Sequence, residues 1–289
     1  MSSFNEIEKE NDPKNTIIKY TIELSEKTGR NTIVYYSGWL NTEDEEVSIT
    51  SMDKNGFITL IKDLDKSKGL DLILHTPGGS IDATESIIDY IHAVFGDDIR
   101  AIIPQMAMSG GTMIACSCKE ILMGRYSSLG PVDPQIVGIP AQSVIKEFEL
   151  AKKEIVESPE TLSFWELMIN KYPANFLFEC ENAIEWSKDI LQKSLEYSMF
   201  KNNENSEMID KIMFELDSGD ATKDHSRNIS AEKCKEIGLN IKNIEEDKEL
   251  QNLVLSIHYA CLDYFNQKNT SKLYANQNNE FICFNLTDE

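Results

Sequence analysis

Hydrophobic positions in this chain follow two rhythms that alternate along most of its length. Short apolar runs rich in β-branched residues read as buried strands: Thr32-Ile33-Val34-Tyr35-Tyr36, Leu72-Ile73-Leu74, Ile99 to Met108, and Glu120-Ile121-Leu122-Met123. Between them, apolar residues spaced three and four apart read as helices, over Gly56 to Leu64, over Ala83 to Phe95 and, briefly, over Thr112 to Cys116. Strand and helix in regular succession predict an α/β fold with parallel strands. The acidic loop Asn41 to Glu46 separates the first strand from the first helix, and residues 1–15 are polar, charged and expected to be mobile.

The second half changes character. An amphipathic helix is expected over Ala141 to Val156, and the pattern from Glu160 to Leu216 is helical, with breaks near Pro173 and at Lys201 to Ser206. Its large apolar groups suit a substrate lid or a subunit interface, or simply a core. Leu250, Leu253, Val254, Ile257, Cys261 and Phe265 define one more helix. Lys272-Leu273-Tyr274-Ala275 and Phe281-Ile282-Cys283-Phe284 flank an asparagine-rich turn and predict a hairpin, because asparagine tolerates positive φ. The expected division is a mobile end (1–15), a main domain (16–245) with a helical insertion at about 158–217, and a helix-and-hairpin extension (246–289).

Two of the expected strands stop in glycine turns. Leu72-Ile73-Leu74-His75 runs into Thr76-Pro77-Gly78-Gly79-Ser80, and Met106-Ala107-Met108 runs into Ser109-Gly110-Gly111 just before a helix. A serine at such an elbow is placed as a nucleophile is placed. The helix start aims free N–H groups and a positive dipole end at the space beside its hydroxyl, where an oxyanion would find donors. The plain alternative is a small-residue turn selected for packing. In open α/β sheets ligands bind at the carboxyl ends of the strands, so the N–H groups of Gly79 and Gly110 are the candidate oxyanion donors. A phosphate cradle would need a longer glycine spacing or a Gly-Lys-Ser/Thr ending, and neither is present.

These two motifs, followed by Gly124-Arg125-Tyr126-Ser127-Ser128-Leu129-Gly130-Pro131-Val132-Asp133-Pro134-Gln135, resemble the superfamily of Clp-type proteases and signal peptide peptidase A over roughly residues 30–245. Within it the chain is most similar to the serine dehydrogenase proteinases. The resemblance implies a ClpP/crotonase-type β-α spiral, a serine peptidase with Ser109 as nucleophile, an oxyanion hole from Gly79 and Gly110, and a homo-oligomer. No metal or organic cofactor is implied.

The general base is less direct. Asp133 stands where the resemblance places the histidine of the Clp triad, and a carboxylate with a pKa of about 4 is a poor base for serine. It is left to orient the base or to bind the substrate main chain. Signal peptide peptidase A uses a lysine from a later helix, which burial keeps neutral. At about 100° per residue, Lys152 falls inside the apolar arc of the helix 141–156, with Lys146 and Lys153 opposite. Lys152 is therefore the first candidate, although its stem also suits the edge of the stripe with its ammonium in water. The second is His225, in Asp224-His225-Ser226-Arg227-Asn228, just before a stretch resembling the Ala…Leu-Gly-Leu helix of these peptidases. Histidine titrates near neutrality without help, and the bland reading of His225 is a surface residue ahead of a Ser230 N-cap. His75, at a strand end beside the first turn, suits substrate orientation or the core; His92 and His258 lie in helical patterns.

Composition narrows the choice of partner. The 289 residues carry 28 Lys+Arg against 49 Asp+Glu, a net charge of −21, which would be repelled by nucleic acid or an anionic membrane surface. A peptide or protein substrate chosen by charge would be basic or neutral. Six scattered cysteines suggest reduced thiols in a cytoplasm. No signal-peptide pattern opens the chain, and no segment is long and apolar enough to cross a bilayer. Two rival readings are a crotonase-like acyl-coenzyme A enzyme, which uses the same backbone donors without a serine, and a catalytically silent scaffold.

Overall fold

The computed structural model describes residues 12–42, 44–201, 205–217 and 227–286. It opens on a helix that the hydrophobic pattern did not announce, α1 (Pro13–Thr28). Asp12 caps it by accepting the Lys14 N–H, and Pro13 occupies the first turn, where a missing N–H costs nothing. Residues 12–15 are thus ordered, which corrects the expectation of a mobile end that far; residues 1–11 lie outside the described residues.

β1 (Asn31–Ser37), α2 (Asp53–Ile61), β2 (Leu70–His75), α3 (Ile81–Phe95) and β3 (Ile99–Ile103) follow close to expectation. The run from Ile99 to Met108 is not one strand. Pro104 has no N–H for the ladder, the chain leaves the sheet, and β4 (Met106–Ala107) joins a small second sheet. After α4 (Gly110–Cys116) come β5 (Glu120–Met123), β6 (Ser128–Leu129) and the tight hairpin of β7 (Gln135–Ile136) and β8 (Ile139–Pro140). Helices α5 (Ala141–Glu157), α6 (Leu162–Ile169), α7 (Phe176–Tyr197) and α8 (Ser206–Leu216) form the helical stretch. β9 (Ile229–Ser230), α9 (Ala231–Ile237), β10 (Ile241–Asn243), α10 (Lys248–Gln267), β11 (Thr270–Asn276) and β12 (Phe281–Asn285) complete the chain.

The main sheet has the order β10-β5-β3-β2-β1-β11-β12. Its first five strands are parallel; β11 runs antiparallel to β1 and β12 antiparallel to β11. The expected hairpin therefore pairs within its own chain and extends the sheet. Successive strand residues face opposite sides, so Ile33, Tyr35, Leu72 and Leu74 belong to one core, while Val34, Tyr36, Ile73 and Leu273 belong to another under α1 and α10.

At the amino ends of the parallel strands the fully buried Asp71 accepts from Arg30 at 2.8 Å and from two nitrogens of Arg100 at 2.7 and 2.6 Å. Its charge is answered on both oxygens, as burial demands. The carboxyl ends carry the glycine turns. Among the described residues, no helix is long and apolar enough to cross a membrane.

Candidate active site

The two glycine turns are laced together by the main chain. Thr76, just past β2, donates to the Met106 carbonyl at 3.3 Å and accepts from the Met108 N–H at 3.0 Å, which brings Pro77-Gly78-Gly79 against Met108-Ser109-Gly110. Contact is so close that side chains are excluded. A β-carbon on Gly78, whose φ is +92°, would lie 2.8 Å from both the Ser109 Cβ and the Gly110 nitrogen. One on Gly110 would meet the Thr84 hydroxyl at 2.5 Å and come within 3.5 Å of the Gly79 nitrogen.

Ile49 sets the direction of the first turn. Its N–H donates to the Gly78 carbonyl at 2.7 Å and its carbonyl accepts the Ser80 N–H at 2.9 Å. In such a parallel bridge the residue between the two bonds points its own N–H the other way. The Gly79 N–H thus faces away from Ile49, and among the described residues it donates to no main-chain carbonyl. Gly110 is the first residue of α4, so its N–H has no partner within the helix.

Ser109 occupies the N-cap position of α4 with φ 48° and ψ −112°, and its hydroxyl does not cap the helix. Positive φ in a serine stores strain of about 1–3 kcal/mol and persists where the surroundings fix it. Here the Gly111 N–H closes the turn on the Met108 carbonyl at 2.7 Å, and the Met113 N–H takes the Ser109 carbonyl at 3.1 Å.

Two cavities meet at this serine. The larger, about 810 Å3, is bounded by Gly79, Gly110, Met113, Glu179 and Trp186; the smaller, about 360 Å3, by Trp39, Met106, Met108 and Asn228. Pro77, Ser109, Asp133 and Gln135 line both. No lysine, arginine or histidine lines either one among the described residues, while Asp82 and Glu179 border the larger.

The structure thus brings together Ser109, Gly79, Gly110 and Asp133. Asp133, 5% exposed, follows a segment fastened by the Gly130 N–H on the Ala107 carbonyl at 3.0 Å and the Val132 N–H on the Leu216 carbonyl at 2.8 Å. Lys152 is elsewhere. It is exposed on α5 and lines neither cavity. The apolar arc drawn for that helix is too wide, since Val156 is 81% exposed and burial rests on Ala141, Val144 and Ala151. His225 lies outside the described residues; Asn228, three positions on, lines the smaller cavity.

His75 belongs to the core rather than the site. Its ring nitrogens pair with the Ser37 carbonyl and the Gln105 side chain, each at 3.2 Å, and it stacks on Tyr36. Burial pushes its pKa down to about 3. His92 bonds the Ser117 carbonyl at 2.8 Å, and His258 bonds the Tyr36 hydroxyl. All six cysteines are free thiols and all but Cys283 are buried; among the described residues no group of His, Cys, Asp or Glu is placed to hold a metal. Ile49 and Trp39 carried no sequence signal for a place at the site, whereas Trp186 lies in the helical stretch whose large apolar groups suited a substrate lid or a subunit interface. Asn228 lay in the segment singled out for His225.

Known proteins resemble the chain over this region. A family described as ClpP-like SDH-type serine proteinase matches residues 47–259, a span holding both glycine turns. Two uncharacterized proteins of Methanocaldococcus jannaschii are similar. MJ0137 is 30% identical over 200 residues, 69% of this chain and 63% of that protein. MJ1495 is 30% identical over 193 residues, 67% of this chain and 59% of that protein. The matched part of the chain thus spans less than two thirds of either relative's length.

Proposed function

Since the chain belongs to the ClpP-like SDH-type serine proteinase family, we propose that it is a serine peptidase that cuts within extended polypeptides, with Ser109 as the nucleophile. Ser109 Oγ attacks the scissile carbonyl carbon as its proton passes to a base. The carbonyl oxygen, now anionic, is held by the N–H groups of Gly79 and Gly110. Collapse breaks the C–N bond, the amine leaves with the proton from the base, and water then releases the acyl group from the serine. The superfamily's β-α spiral, a homo-oligomer and a cytoplasmic location go with this reading by analogy.

The observation that carries it is the strained Ser109 at the junction of two cavities, flanked by two glycine N–H groups that have no main-chain partner among the described residues. Cavities on both sides of the nucleophile give room for a chain that continues in both directions, which suits internal cleavage. Asp82 and Glu179 on the larger side favour basic side chains there. Of the two base candidates, His225 is the one proposed. Asn228, three positions on in the sequence, lines the smaller cavity, whereas Lys152 is exposed and lines neither. Asp133 orients that base. An acyl-coenzyme A ligand fits poorly, because neither cavity offers a cation for its phosphates among the described residues.

The test is digestion of unstructured basic polypeptides, with products read by mass spectrometry. Internal fragments made by the wild type and absent with Ser109→Ala support the reading. Removal of terminal residues alone, or identical products from both proteins, contradicts it.

A further inference from the structure

Ile49 braces the Gly78–Ser80 turn, and Ile49 is itself braced from the far end of the chain. Lys272, in β11, is 3% exposed. Its ammonium donates to the Ser48 carbonyl at 2.7 Å and to the two Asp53 carboxylate oxygens at 2.9 and 2.8 Å. Those three bonds match the three donors of the ammonium. Asp53, fully buried in the first turn of α2, also accepts from the Thr50 N–H and from the Tyr274 hydroxyl, two residues along β11. The residues on either side of Ile49 are therefore gripped by one buried ion pair.

Such a grip is stiff. Moving Ser48 or Thr50 would break a hydrogen bond to a buried charge, the Lys272 ammonium or the Asp53 carboxylate. Ile49 passes this constraint on through its bonds to Gly78 and Ser80. Packing adds to it, because a β-carbon on Gly79 would run into the Ile49 backbone. Donors to a developing oxyanion act by being fixed before the charge appears.

We infer that Lys272 is a positioning residue for the oxyanion turn, acting on Gly79 through Ser48 and Ile49. The C-terminal hairpin is thereby part of the active-site framework, although its ion pair spans 219 residues of sequence. The catalytic consequence rests on the peptidase reading; the bracing itself does not.

The test compares the full-length wild type with Lys272→Met and with the double variant Lys272→Met, Asp53→Asn. The double variant leaves no unpaired carboxylate buried and carries the test if the single one does not fold. Two quantities are read: amide hydrogen exchange at Ile49 and Ser80 against that in β3, and the rate at which a fluorophosphonate labels Ser109. We expect exchange at Ile49 and Ser80 to rise at least about tenfold with β3 unchanged. The limiting labelling rate should fall at least about tenfold at an unchanged half-saturating probe concentration. Unchanged exchange at Ile49 and Ser80, or an equal rise throughout the sheet, overturns the inference whether or not the wild type labels. Faster local exchange with unaltered labelling overturns the positioning role. A wild type that never labels, beside variants that exchange faster locally, overturns the peptidase reading and supports the brace.

Discussion

The α-carbon of Gly78 faces Ser109 so closely that a β-carbon added to it would stand 2.8 Å from the Ser109 Cβ and 2.6 Å from the Met108 carbonyl. Gly78→Ala must displace one of the two turns, and its φ of +92° is a region L-residues rarely adopt. Displacing a catalytic group by about 1 Å can cost about 100-fold in rate. Labelling of Ser109 by a fluorophosphonate should slow by about that factor, and urea unfolding should show a loss of about 1–3 kcal/mol.

The base assignment makes a paired prediction. Lys152 is exposed outside both cavities, so Lys152→Ala should label within about twofold of the wild type, as a surface change does. His225→Ala should label about 10²- to 10⁴-fold more slowly, the range for loss of a general base. The opposite pattern in the labelling rates would return the role to the lysine.

Asp71 tests the other end of the strands. Asp71→Ala leaves Arg30 with Asp98 and Arg100 with Glu120, each at a more exposed site. Breaking a buried pair from one side costs about 3–5 kcal/mol, and the remaining carboxylates place this variant near the lower figure. Urea denaturation should show that loss. The labelling rate per folded molecule should be unchanged, since the site lies at the opposite strand ends.

His75 gives a pH dependence of known sign. In the unfolded chain its imidazole takes up a proton below about 6.5, whereas in the fold burial keeps it neutral down to about 3. Between those values the unfolded state holds the extra proton. The stability from keeping His75 neutral is complete above about pH 6.5 and is lost as pH falls toward 3, at up to about 1.4 kcal/mol per pH unit. His258, also shifted down by burial, adds a slope of the same sign. Denaturation at a series of pH values from 6.5 to 5, above most carboxylate titrations, should show a shallower slope for His75→Asn than for the wild type.

The parallel core was legible because Leu72 to Leu74 and Ile121 to Met123 are too short and too apolar to be anything but buried strands. Glycines at 78, 79, 110 and 111 marked the turns because an added β-carbon has nowhere to go. Helix α1 was missed although Asp12-Pro13 is a start signal, since its buried residues Ile17, Ile18, Thr21 and Leu24 sit in a polar stretch. The hairpin was legible and its partner was not: pairing of β11 with β1 depends on contacts more than 200 residues apart, such as Tyr35 with Tyr274. Periodicity misplaced Lys152 for a related reason. It shows which positions on a helix share a face, but neighbouring elements decide how wide a face is covered, and at α5 the cover stops short of Val156.

Covalent labelling reads the nucleophilicity of Ser109 itself. Wild-type protein is incubated with a fluorophosphonate from neutral to alkaline pH, digested, and the modified residue identified by mass spectrometry. A single adduct on Ser109 is expected, absent in Ser109→Ala and slowed in Gly78→Ala. A folded wild type that takes up no probe at Ser109 at any of these pH values would contradict it.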